Sequence, residues 1–163
     1  MRSFFGLAMV VLLAVSCDEE RVYENNFDFD TRYWPVNEKP GFEFEITDTI
    51  QTYNLYCNVR NSLDYPYARI FITYSLSDSS GSILAQDMVQ QMLFNDKTGE
   101  PLGESGLGDI YHHRIPVTMH HQFPYRGKYK VSFEQFMRTD TLSGVLAVGL
   151  RVEKAANAAT GAR

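Results

Sequence analysis

The chain has 163 residues, 44% hydrophobic, 13% aromatic and 21% charged. That composition is globular and argues against wholesale disorder, a collagen-like repeat or a multi-span membrane protein. Fifteen Lys and Arg against 20 Asp and Glu leave a formal charge of −5, which offers nothing to a nucleic-acid backbone. Two cysteines make no disulfide framework, so a fold of this size rests on its apolar core.

The N-terminus carries an export signal. Arg2 supplies a positive start, and Phe4 to Ala14 form an apolar stretch. The stretch is too short for a spanning helix, which takes about 20 apolar residues. It ends in Ala14-Val15-Ser16-Cys17 and turns acidic at Asp18-Glu19-Glu20. This resembles a bacterial lipobox, in which the cysteine thiol is diacylglycerylated, residues 1–16 are removed and the new amine is acylated. The other reading is an ordinary secretory peptide with a cysteine near its cleavage site, since Ala14 stands where Leu is more typical. Two or more acyl chains at Cys17 hold a protein on a bilayer at about 0.8 kcal/mol per buried CH₂. Cys57 then has no intramolecular partner. In Tyr53-Asn54-Leu55-Tyr56-Cys57-Asn58-Val59 it shares a face with Tyr53, Leu55 and Val59, where a free thiol behaves as a small hydrophobe.

Residues 17–40 are acidic, aromatic and Pro-punctuated without a clear period, and read as a lipidated tether that docks on the domain behind it. Trp34, the only Trp, either plugs the end of that domain or marks a partner surface, and packing is favoured because a large ring gains most from burial. Beyond Pro40 the period is two. Phe42, Phe44 and Ile46 alternate with Glu43 and Glu45, and residues 52–60 and 68–76 follow as strands separated by the turn residues 61–66. Residues 83–94 read as a strand with Leu84 and Met88 among its apolar positions. A Gly-rich connection covers 95–109, and Tyr129, Val131 and Phe133, then Val148, Leu150 and Val152, mark two later strands. No segment carries a useful helical stripe. The pattern predicts an all-β, antiparallel β-sandwich of Ig-like or jelly-roll-like type over 41–153, with a flexible tail at 154–163.

Few residues announce chemistry. His112, His113, His120 and His121 are all the histidines of the chain. If a hairpin joins the two pairs they offer one metal ligand per side each, with Asp109 as an oxygen ligand, but surface histidines on an edge hairpin are the plainer account. Gly103-Glu104-Ser105-Gly106-Leu107-Gly108-Asp109 lacks the following Lys-Ser or Lys-Thr of a phosphate cradle. No Gly-x-Ser-x-Gly elbow, His-Glu-x-x-His or spaced carboxylate pair is present, so no catalytic residue is assigned. Glycan binding, through aromatic platforms and Asn or Asp loops, is the enzyme-free competitor.

Several strings, in order, resemble the gliding-motility lipoprotein H family (Gld type). They are Tyr53-Asn54-Leu55, Arg60-Asn61-x-x-Asp64-Tyr65-Pro66-Tyr67, Leu102-Gly103 with Gly106-x-Gly108-Asp109, Phe123-Pro124-x-x-Gly127-Lys128-Tyr129, Gln135-x-Met137-Arg138 and Val148-Gly149-Leu150-Arg151. Glu100-Pro101 and Phe136 depart from the family pattern, and the His pairs are no part of it. The resemblance implies a non-enzymatic lipoprotein of the cell envelope, expected at the outer membrane, that supports gliding motility and the linked type IX secretion machinery through contacts with other envelope lipoproteins. It implies no cofactor, no small-molecule substrate and no nucleic acid. The candidate partner-contact residues are Trp34, Arg60, Asp64, Tyr65 and Asp109. For Arg60 and Asp64 the alternative is a local ion pair that pins the turn. Gly127-Lys128-Tyr129 is expected to form a corner with the Tyr129 hydroxyl bonded to backbone.

Overall fold

Where one strand face is wet and the other packed, the alternation in the sequence becomes alternation in burial. The computed structural model describes residues 20–156; the expected signal peptide, Cys17 and residues 157–163 lie outside them, and of the tail expected at 154–163 Lys154 still belongs to the last strand and Ala155 is buried. The strands are β1 (Arg21–Asp28), β2 (Tyr33–Pro35), β3 (Gly41–Ile46), β4 (Tyr53–Ser62), β5 (Arg69–Asp78), β6 (Ile83–Met92), β7 (Glu104–Ser105), β8 (Ile110–His121), β9 (Gly127–Gln135), β10 (Thr141–Ser143) and β11 (Val145–Lys154). No helix occurs among the described residues. In β3, β4, β5 and β9 every second residue is buried, including Phe42, Phe44, Leu55, Val59, Ile72, Leu76, Val131 and Phe133.

These faces meet as two antiparallel sheets, β1-β11-β4-β8-β7 and β3-β9-β5-β6, with β2 and β10 forming a small third pair. The fold is the expected all-β sandwich. Connections from β3 to β4, β4 to β5 and β8 to β9 pass from one sheet to the other, so both sheets share two ends. The near end gathers Glu20, the loop 47–52, the turn 79–82, residues 122–126 and the exit at Ala155. The far end gathers residues 29–40, 63–68, 93–109 and 136–144.

The tether differs from expectation. Arg21–Asp28 is a strand, β1, paired with β11 from Arg21↔Glu153 to Asp28↔Ala147. Glu20 is already tied, its carbonyl accepting from Lys154 N at 2.7 Å. Only residues 18 and 19 separate Cys17 from the fold. β1 showed no period because it is the sheet's outer strand and buries none of its residues fully. The stretch expected as one strand at 83–94 likewise divides. β6 is an edge strand with Leu84 and Met88 exposed, and the buried apolar pair is Leu93 and Phe94 beyond it.

Two local readings can be checked directly. The Tyr129 hydroxyl donates to the Tyr125 carbonyl at 2.6 Å, tying the entry to β9 as a tyrosine corner. Cys57 is fully buried, and burial pushes its thiol well above the usual range. Cys57 is therefore expected to stay unmodified by a thiol reagent in the native protein and to react fully once urea unfolds it. Native labelling at a rate comparable to a free thiol would contradict this packing.

Candidate functional site

Backbone hydrogen bonds stitch the far end together. Gly144 N donates to Arg32 O at 3.0 Å, Ser62 N to Gly144 O at 2.9 Å, and Leu63 N to Asp109 O at 3.2 Å. Gly144 has φ +75, and a Cβ there would stand 2.5 Å from Tyr65 N, so only glycine lets this turn pack on the β4–β5 turn. The candidate residues Trp34, Asp64, Tyr65 and Asp109 all fall within this stitched region, with Arg60 entering it along β4.

Their environments separate them. Trp34 is 0% exposed; its ring stacks on Phe29 at 5.5 Å and its Nε1 donates to Glu38 O at 2.9 Å. Tyr65 is buried, stacks on Phe94 and donates its hydroxyl to Arg69 O at 2.9 Å, and burial holds that hydroxyl far above its ordinary pKa. Both are architectural and offer no surface. Asp64 and Asp109 are exposed on adjoining turns. Beside them stand exposed Leu63, Tyr67 and Leu107, the last 90% exposed. The sequence reading passed over Leu63 and Leu107. The available signal was an apolar residue held between glycines, Gly106-Leu107-Gly108, where no strand period could place it in a core.

Arg60 does not pair with Asp64. Residue 60 of β4 points to the outer sheet face, while Asp64 lies beyond the strand's end. Across β11, through the registers Asp28↔Ala147 and Ala147↔Arg60, stands Asp28, and the Arg60 guanidinium bonds its carboxylate. The same face carries a longer network. Glu24 accepts from Arg21 at 3.0 Å, from Asn58 at 3.0 Å and from Arg151 at 2.8 Å. Arg151 also bonds Glu153, which lies 3.5 Å from Arg114. Burial works to raise the Glu24 pKa, but the Arg21 and Asn58 hydrogen bonds and the charge of Arg151 outweigh it and hold the carboxyl below its ordinary value. A polar groove of about 450 Å³ follows this face, lined by Glu24, Asn58, Arg60, Glu104, His112 and Arg114 among others.

The histidines do not converge. Both pairs lie on one strand, β8, and no hairpin joins them. His112 and His120 are eight positions apart, roughly 26 Å at about 3.3 Å per residue. His113 is buried under the 102–106 loop, where a Cβ on Gly103 would stand 2.6 Å from its Nε2; burial first, then the neighbouring His112, lower its pKa. His121 packs edge-on against Phe123 at 4.7 Å, at the opposite end of β8 from His112, and burial lowers its pKa too. No group of three or more His, Cys, Asp or Glu side chains converges as a metal site among the described residues, Asp109 included. Stacked aromatic pairs each contain at least one buried ring: Phe29–Trp34, Phe44–Tyr129, Tyr65–Phe94 and Tyr125–Tyr129.

Comparison with known proteins gives this fold its relatives. The profile of a family described as GldH lipoprotein matches residues 21–152. The chain belongs to the GldH lipoprotein family. The matched span opens on the first residue of β1 and closes in β11, so the GldH unit is the whole sandwich, outer strand included. A GldH relative named gliding motility lipoprotein GldH homolog, from Christiangramia forsetii, is 30% identical over 96% of this chain and 100% of its own length. A second, gliding motility lipoprotein GldH from Flavobacterium johnsoniae, is 26% identical over 91% of this chain and 94% of its own length. Among solved structures, the infectious bursal disease virus VP2 subviral particle is similar over 84% of this chain and 33% of that one, at 14% identity and a TM-score of 0.41.

Proposed function

We propose that this GldH-family protein is lipidated at Cys17, resides at the outer membrane, and supports gliding motility and the linked type IX secretion machinery through protein contacts, without catalysis. The observation that carries the reading is the family match across the whole sandwich, with relatives named for gliding motility at both ends of the identity range quoted above. The contact surface is the far end, where Asp64 and Asp109 adjoin exposed Leu63, Tyr67 and Leu107. An acidic, partly apolar patch of this kind suits a protein partner, with apolar contact for affinity and charge for orientation.

Deletion of the gene in the native host is expected to stop surface gliding and to leave type IX cargo inside the cell envelope. Wild-type protein restores both functions, Cys17→Ser restores neither, and Leu63→Asp with Leu107→Asp keeps the anchor but restores neither. A deletion strain that glides and secretes like its parent removes the proposal.

A further inference from the structure

We propose that the near end of the sandwich is seated on the lipid surface, with exposed Ile50, Ile83, Met119 and Tyr125 entering the headgroup layer, so that the far end points away from the bilayer. This rests on the lipidation of Cys17 proposed above. Three observations support it independently of what the far end binds.

The first is reach. Three peptide steps from Cys17 to Glu20 span at most about 11 Å at ~3.6 Å per residue. A ten-residue strand such as β4 is about 33 Å long at ~3.3 Å per residue. An anchor that short brings the end holding Glu20 against the membrane and leaves the opposite end a strand's length away.

The second is what that end exposes. Ile50 is 88% exposed at the tip of the β3–β4 loop, and Ile83, Met119 and Tyr125 are exposed around it. Ile50 and Ile83 stand largely clear of the fold, while Tyr125 lays one ring face on Tyr129 and leaves the rest open. Tyr125 presents a ring with a polar tip, the form that suits a headgroup layer. Arg126, Lys128 and Lys154 at this end are matched by Glu20, Asp48 and Asp78, so the seating rests on the apolar side chains and not on net charge.

The third is that the rim is braced as one piece. Ala155 N donates to Thr52 O at 2.8 Å, Gln51 Nε2 to Ala155 O at 2.8 Å, and Gln122 Nε2 to Thr49 O at 3.1 Å. Ile50 N is held by Asp48 Oδ1 at 2.9 Å, and the Tyr125 hydroxyl bonds the Asp78 carboxylate, which also accepts from Ser82 N at 3.0 Å. With Lys154 N bonded to Glu20 O, the chain entry and the loops form one continuous hydrogen-bonded platform.

The test uses the mature lipidated chain in vesicles of phosphatidylethanolamine and phosphatidylglycerol that contain a headgroup-quencher lipid. Ile50→Cys places a fluorophore on the near rim, while Phe136→Cys and Leu107→Cys place one on two separate loops of the far end, all at exposed positions. Buried Cys57 does not compete for label. The label at 50 is expected to lose most of its emission while those at 136 and 107 keep theirs. Equal quenching at all three, or quenching confined to 136 or 107, overturns the seating while the anchor stands. If the mature chain and its Cys17→Ser variant both fail to float with the vesicles, the lipid anchor itself is overturned, and the seating with it.

Discussion

Replacing Trp34 with Ala is expected to lower the unfolding free energy by about 3–5 kcal/mol, the range for truncating a fully buried aromatic ring. The ring has no exposed surface, rests on Phe29, and carries a hydrogen bond to Glu38 O that closes the β2 turn. β2 pairs with β10 through Trp34↔Leu142, so the cavity opens where the small sheet covers the far end of the core. A domain of this size has about 5–15 kcal/mol of stability in all, and the loss removes a large part of it. Trp34→Phe keeps a stacking ring and gives up the indole donor, for a smaller loss. Urea titration of the mature chain made soluble by Cys17→Ser measures both. An Ala variant within about 1 kcal/mol of wild type would show that the ring is not a core element.

The second large effect concerns Arg151. Its side chain is 8% exposed and bridges Glu24 and Glu153, so Arg151→Met leaves two partly buried carboxylates without that cation. A loss of about 3 kcal/mol is expected, at the low end for breaking a buried pair by removing one partner because Glu24 retains Arg21 and some solvent. The variant that also carries Glu24→Gln and Glu153→Gln is expected to recover most of it. Acid gives an independent check. Glu24 is held below its ordinary 4.5, so its contribution is present above that pH and is lost as pH falls through the depressed value. The difference between wild type and Arg151→Met is therefore expected to be steady above about pH 5 and to narrow in acid. A difference that widens on acidification would contradict the assignment.

What the sequence made legible follows from which faces water reaches. β3, β4, β5 and β9 each have one packed and one wet face, and their alternation marked both the strands and the residues of the core. β1 is an outer strand whose inward face is only partly covered, Tyr23 resting on Phe44, so Arg21–Asp28 carries no clear period and reads as tether. β8 hides for a related reason. Its inward positions include His113 and its outward ones Pro116, so the polar letters of Ile110–His121 obscure a twelve-residue strand. Pairing across strands was invisible as well. Arg60 and Asp64 are four apart in sequence, but strand direction sends Arg60 to Asp28, 32 positions away. The candidate residues drawn from the family strings gather at the far end, but they combine buried framework, Trp34 and Tyr65, with exposed surface, Asp64 and Asp109, a distinction that a string of letters does not carry.

The strand continuous with the anchor is also the outermost strand of its sheet, which fixes how the protein carries load. β1 runs from the near end to the far end, antiparallel to β11. A force that draws Glu20 toward the membrane while the far end is dragged away acts along the strand axis. It slides β1 against β11, so the whole ladder bears tension together instead of parting rung by rung as in peeling. The Glu24–Arg151 and Asp28–Arg60 bridges cross-link this outer part of the sheet and share the shear. Given the anchor proposed at Cys17 and the contact surface proposed at the far end, the edge strand stands as a mechanical clasp between the two.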